Sequence, residues 1–159
     1  EEHGGDGKMT LPHESFVQYI GAQTKPNVYL ELGVDEGTTF LMIAPFVSRA
    51  IAVDKKIPEC LEDYETYEME TNEFFGDEWF KEEADLIFID ADHSYEEAKR
   101  DLKNALEILS DDGTIIIKEA ADEGRVNTLL CINHSDNYYL LTDMDLLKGA
   151  KHNPVEPLL

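Results

Sequence analysis

The sequence predicts a doubly wound α/β domain: a mostly parallel sheet with helices on both faces. Three observations predict it. Short apolar runs such as Leu86–Ile89 and Ile115–Ile117 recur between amphipathic segments, and continuous apolar runs are what strands buried on both faces of a parallel sheet require. A glycine turn, Gly33 to Gly37, follows the first such run. An acid, Asp54, closes the next run, one β-α-β unit of about twenty residues later. Strands alternating with helices imply right-handed crossovers, and about six or seven strands are expected.

The elements follow in order. Residues 1–9 are polar, glycine-rich and unpatterned and read as a disordered leader. From Thr10 the stripe Phe16, Val17, Ile20 predicts a helix, with Gly21 as its terminator. Asn27–Leu32 is the first strand and Thr38–Phe46 the next helix, apolar at Phe40, Leu41, Ile43 and Ala44. Ala50–Asp54 is the second strand, and Ile57–Asp63 a short helix or turn. Tyr64–Met69 alternates aromatic with acid and fits a third strand near an edge. Asn72–Glu83, with Phe74, Phe75, Trp79 and Phe80, reads as a helix. Asp85–Asp90 is the fourth strand. Tyr95–Leu109, with Ala98, Leu102, Ala105, Leu106 and Leu109 at helical spacing, is a helix that Asp111-Asp112-Gly113 should end. Thr114–Lys118 is the fifth strand, Gly124–Asn133 a helix, and Tyr138–Asp143 a sixth strand. One domain over residues 10–150 is expected, and the segment 151–159, with Pro154 and Pro157, reads as an irregular tail.

Composition narrows the function. Asp plus Glu number 35 against 13 Lys plus Arg, a formal net charge of −22. Nucleic acid demands a basic footprint, and basic residues cluster no further than pairs such as Lys55-Lys56, so nucleic acid and anionic membrane surfaces are unexpected partners. The excess charge is expected to serve solubility; a high-salt habitat or an attraction for divalent cations are sharper readings. No apolar run approaches the length of a membrane span. Cys60 and Cys131 lack metal-ligand spacing and are expected as two buried free thiols in a reducing, cytoplasmic setting.

In sheets of this kind ligands bind outside the carboxyl ends of the strands. The first strand ends in Glu31-Leu32-Gly33-Val34-Asp35-Glu36-Gly37. Its glycines permit a tight turn and close approach of a ligand to the backbone. The spacing G-x-x-x-G is not the dinucleotide G-x-G-x-x-G, and acids at Glu31, Asp35 and Glu36 would repel a pyrophosphate; a ligand with a positive or zwitterionic group fits better. Asp54 can accept the ribose hydroxyls of an adenosine. Turn and strand-end acid in this order favour a bound ligand over a bare connection with Asp54 as a helix cap.

These residues resemble the class I S-adenosylmethionine-dependent methyltransferases: E-L-G-V-D-E-G is similar to the family's first motif and A-V-D-K-K to its second, over a span from about Val28 to Lys118. The resemblance implies that Glu31, Gly33 and Gly37 line the methionine part of the cofactor, that Asp54 holds the ribose, and that Thr71 and Asn72 lie near the adenine. An oxidoreductase using NAD is the poorer fit because of the glycine spacing.

The fourth strand runs into Asp90-Ala91-Asp92-His93-Ser94-Tyr95. Closely spaced carboxylates can hold a hard divalent cation, a nearby histidine can act as general base, and Ser94 with Glu97 has the form of a helix capping box. The string resembles a subset of the family that includes small-molecule and sugar O-methyltransferases, some of them metal-dependent. By that resemblance Asp90, also beside the cofactor, is a catalytic or metal-binding acid, Asp92 a metal ligand for Mg²⁺ or another divalent cation, and His93 the base. The departure is Ile117-Lys118-Glu119, where metal-dependent relatives carry acids or amides; Glu119 could still serve as a ligand. The expected activity is O-methylation of a small-molecule hydroxyl, in an acceptor site that is open or completed by a second copy in a homo-oligomer. The alternative is a cofactor-binding or scaffold protein without transfer.

Overall fold

The computed structural model describes residues 13–76, 80, 82–90, 95–119, 128–134, 138–142 and 153–154. The strands are β1 (Val28–Leu32), β2 (Arg49–Asp54), β3 (Glu65–Glu68), β4 (Ala84–Ile89), β5 (Leu109–Glu119), β6 (Thr128–Ile132), β7 (Tyr138–Thr142) and β8 (Asn153–Pro154). They form one sheet in the order β3-β2-β1-β4-β5-β6-β7-β8. The pairings from β3 across to β5 are parallel, and those from β5 to β8 antiparallel. The helices are α1 (His13–Thr24), α2 (Thr38–Ile43), α3 (Thr71–Phe75) and α4 (Tyr95–Ile108).

Alternation along each strand divides the core in two. Leu30, Leu32, Ile51, Val53, Ile87 and Ile89 pack with Phe74 of α3 and with Leu102 and Ala105 of α4. The intervening Tyr29, Ala52, Leu86 and Phe88 pack with Val17 of α1 and with Phe40 and Ile43 of α2. Both faces are thus covered, which is the doubly wound arrangement the apolar runs predict. No helix among the described residues is long and apolar enough to cross a membrane.

Several boundaries differ from expectation. Helix α1 runs through Gly21 and ends at Thr24, where Lys25 takes a left-handed φ of 50° and its N–H bonds to the Gly21 carbonyl. Helix α2 tightens into a 3-10 turn at Ala44–Phe46, where Pro45 lacks the N–H an α-helix would use. Helix α3 is short: a Glu70/Glu73 capping box starts it, and Gly76, extended at φ −84°, ends it. Phe80, expected on the same helix, is buried beyond that break and stacks on Phe74 with ring centroids 5.0 Å apart. Trp79 lies outside the described residues. Segment Asp111-Asp112-Gly113 does not end α4; it lies within β5, in an irregularity between the pairs Ala84↔Leu109 and Leu86↔Thr114.

Residues 128–132, expected in a helix, form β6, because pairing along Ile115–Glu119 satisfies their backbone groups and buries Leu129 and Ile132. Propensity yields there to tertiary context. In the expected tail, Asn153–Pro154 pairs with β7, bringing the sheet to eight strands; a proline is tolerated at such an edge. Cys60 is exposed rather than buried. Cys131 is partly buried, and burial pushes its thiol up to about 12.

Edge strand β3 is tied on by Arg49, whose guanidinium grips Glu65 through two N–H···O contacts of 2.8 Å, also pairs with Glu82, and lies over the Phe80 ring. In the interior strand β5, Gly113 sits where a Cβ would come 2.5 Å from Leu109 Cδ1 and 3.1 Å from the Asp85 carbonyl. Gly113→Ala should therefore destabilise the protein by about 1–3 kcal/mol, measured by chemical denaturation; an unchanged midpoint would mean that Leu109 moves aside freely.

Candidate functional site

Strand β1 lies between β2 and β4. The chain therefore leaves β1 in one direction and returns on its other side, and the crevice at this reversal, beyond the carboxyl ends of β1 and β4, is where such sheets hold ligands. Glu31, Gly33, Gly37, Asp54 and Asp90 all gather there.

The turn after β1 is bent by left-handed residues: Gly33 at φ 91°, Asp35 at 49° and Gly37 at 89°. A Cβ on Gly37 would also meet Cys60 Sγ at 3.1 Å and Leu61 Cδ2 at 3.3 Å. Asp54 holds the turn in place. Its Oδ2 accepts the N–H groups of Val34 at 2.8 Å and Asp35 at 3.0 Å, and its Oδ1 that of Lys55 at 2.6 Å. Backbone bonds add to this: Gly33 N–H to the Val53 carbonyl, Asp90 N–H to the Leu32 carbonyl and Met69 N–H to the Asp54 carbonyl. The ends of β1, β2, β3 and β4 are thereby fixed together. Asp54's accepting capacity is shared with the turn, so the carboxylate is not wholly free for a ribose.

Glu31 is 2 % exposed and accepts a 2.6 Å hydrogen bond from the Tyr29 hydroxyl. Burial pushes its carboxyl well above the usual range, the negative charges of Asp90, Asp54 and Glu14 add to that, and the Tyr29 bond opposes it. The same burial and Glu31 itself push the Tyr29 hydroxyl up. Tyr29 was not singled out in the sequence; the signal available was that residues two apart on a strand share a face.

Asp90 follows β4. Burial is the largest cause pushing its carboxyl from 3.8 to about 6, and Asp35, Glu14 and Asp54 push the same way, while the Lys118 ammonium opposes. Lys118 Nζ stands 3.8 Å from Asp90 Oδ1. The register Ile89↔Ile117 sets them side by side.

Thr71 and Asn72 open α3 at the rim beyond β3. Thr71 donates a 2.7 Å bond to the buried Asp101 of α4, so its hydroxyl holds two helices together, while Asn72 is exposed. Asp92, His93 and Ser94 lie outside the described residues, as does the side chain of Glu119. Among the described residues no group of three or more His, Cys, Asp or Glu is arranged to hold a metal ion. A cavity of about 860 Å³ lined by Tyr19, Lys25, Asn27, Phe46 and Ser48 lies at the amino ends of β1 and β2, the opposite end of the sheet from this chemistry.

The family model described as "Methyltransferase domain" matches residues 30–120, over half of the 159-residue chain. The chain belongs to that family. Its methyltransferase domain is similar to several solved structures. The O-methyltransferase TomG from Streptomyces achromogenes, solved with S-adenosylmethionine, is 12% identical with a TM-score of 0.58, over 72% of this chain and 58% of that one. An O-methyltransferase from Bacillus cereus, solved with S-adenosylhomocysteine, is 18% identical with a TM-score of 0.54, over 70% and 57%. The sugar N-methyltransferase KedS8 from a Streptoalloteichus species is 10% identical with a TM-score of 0.56, over 87% and 73%. At these identities the likeness shows the fold, and this chain spans less than two thirds of the first two. No curated protein matches.

The raised carboxyl of Asp90 has a direct consequence. Below its ordinary value both folded and unfolded chains hold the proton; between 3.8 and about 6 the folded chain holds it more tightly. Asp90 thus favours folding at low pH, and that contribution is lost as pH rises through about 6. Carbon-13 NMR of the Asp90 carboxyl should show its midpoint near 6. Lys118→Met should move it higher; an unmoved midpoint would remove Lys118 as its electrostatic partner.

Proposed function

We propose that this protein is an S-adenosylmethionine-dependent O-methyltransferase acting on the hydroxyl of a small molecule. The observation that carries the reading is the convergence of Glu31, Asp35, Asp54 and Asp90 on a glycine turn at the switch point. Burial and the neighbouring acids raise the proton affinity of Glu31 and Asp90, and a cationic ligand would relieve that unfavourable charge. The donor set therefore fits a cofactor that carries a sulfonium and an ammonium group and misfits a pyrophosphate. Such a cofactor supplies an activated methyl group.

The chain's own residues would do the rest. Gly33 and Gly37 let the ligand approach the backbone, and Glu31 and Asp90 face its positive charge. Asp54 offers the ribose the accepting capacity the turn does not use, and Thr71 and Asn72 border the adenine. The domain's contribution to rate is orientation, holding acceptor and methyl in line. His93 as base, within reach of the β4 end in sequence, belongs to the same reading.

Calorimetry on the purified protein tests it. S-adenosylhomocysteine should bind and NAD should not, and Asp54→Ala should weaken the former at least tenfold. Binding of NAD alone would contradict the reading. Binding of S-adenosylhomocysteine without methyl transfer to any hydroxyl acceptor would favour a cofactor-binding scaffold.

A further inference from the structure

The strand order separates two sides of the crevice. The glycine turn lies beyond β1, Asp90 beyond β4, and Lys118 at the far side on β5. The carboxylates gather at the ends of β1, β2 and β4. Lys118 stands against them: its ammonium is 3.8 Å from Asp90 Oδ1, and its side chain is 24% exposed, so part of it stays in contact with solvent.

We propose that Lys118 is the site's own cation, standing beside the carboxylate that a divalent ion would need, and that it receives an acceptor carrying negative charge. This rests on the methyltransferase reading. A divalent cation needs several oxygen ligands at about 2.0–2.6 Å. The residue beside Asp90 on β5 is instead a donor with no lone pair to give while it is charged, and its charge repels a metal ion at the same carboxylate. The residues present at this position therefore disagree with a metal centre built on Asp90. The acceptor side has its own need. An acceptor oxygen that gives up its proton to the general base acquires negative charge in a crevice bordered by Glu31, Asp54 and Asp90. Lys118 offsets that charge from the β5 side, opposite the glycine turn. No proton or electron passes to Lys118; its contribution is a fixed positive charge.

Two measurements test this, both read by NMR on the whole chain. In the first, Mn²⁺ is added to the free protein and paramagnetic broadening is followed at the amides of Gly33, Asp90 and Lys118. Wild type should stay sharp at Mn²⁺ concentrations that broaden these signals in Lys118→Met. Equal broadening in both would overturn the inference, because the crevice would then accept the metal despite the lysine. In the second, benzoate, a small anionic aromatic probe, is titrated into the S-adenosylhomocysteine complex. It should shift the Lys118 amide, with affinity at least fivefold weaker in Lys118→Met and recovered in Lys118→Arg. Unchanged affinity in Lys118→Met, or no saturable binding to wild type, would overturn the acceptor role. Wild type that binds no S-adenosylhomocysteine would count against the methyltransferase reading, while the Mn²⁺ measurement on the free protein would still decide the metal question.

Discussion

One carboxylate organises the site. Asp54 accepts the N–H groups of Val34, Asp35 and Lys55, and hydrogen bonds to a charged group contribute roughly 1.5–3 kcal/mol each. The turn it gathers contains a non-glycine residue, Asp35, at φ 49°. A left-handed conformation there costs about 1–2 kcal/mol, which the bond to its N–H offsets. Without the Asp54 carboxylate the turn would keep its Gly33–Val53 backbone bond to β2 but lose the side-chain ties at Val34 and Asp35 that shape the backbone against which a ligand would lie. The glycines permit the bend, and the aspartate selects it.

The same acid belongs to an electrostatic field. Burial raises the cost of ionising Glu31 and Asp90, the charge of Asp54 adds to both, and Asp90 adds to that of Glu31. Such a site is destabilising unless something positive enters it or a proton is retained. The Tyr29 hydroxyl and the Lys118 ammonium supply part of the compensation. The chain thus holds a region of unfavourable charge at the switch-point crevice, and a cationic ligand bound there would be stabilised by the relief of that repulsion.

Much of this was legible in the sequence. Strands β1, β2, β4 and the centre of β5 announce themselves because burial on both faces leaves little room for polar residues. The glycine turn and Asp54 stand out by order and spacing. Of the antiparallel edge, β7 was legible as a strand over Tyr138–Asp143, but β6 was not: Leu129 to Ile132 suit a helix or a strand, and only pairing with Ile115–Glu119 decides between them. Nor was the break at Gly76, since Phe74 and Phe80 share a core without sharing a helix. At the site, Asp54 was read as a ribose ligand, and its prior engagement with Val34 and Asp35 depends on how the turn curls back. Lys118 was visible only as a departure from an acidic pattern; its pairing with Asp90 comes from the register of β4 against β5, which no local motif encodes.

The proposed cofactor would lie against the acid-bound turn. The most direct measurement is a map of backbone amide shifts as S-adenosylhomocysteine is added to isotopically labelled protein. The largest changes should fall on Gly33, Val34, Gly37, Lys55 and Asp90, around the acid-bound turn at the carboxyl ends of β1 and β4. Changes centred instead on Tyr19, Lys25 and Phe46, in the cavity at the amino ends of the strands, would contradict it.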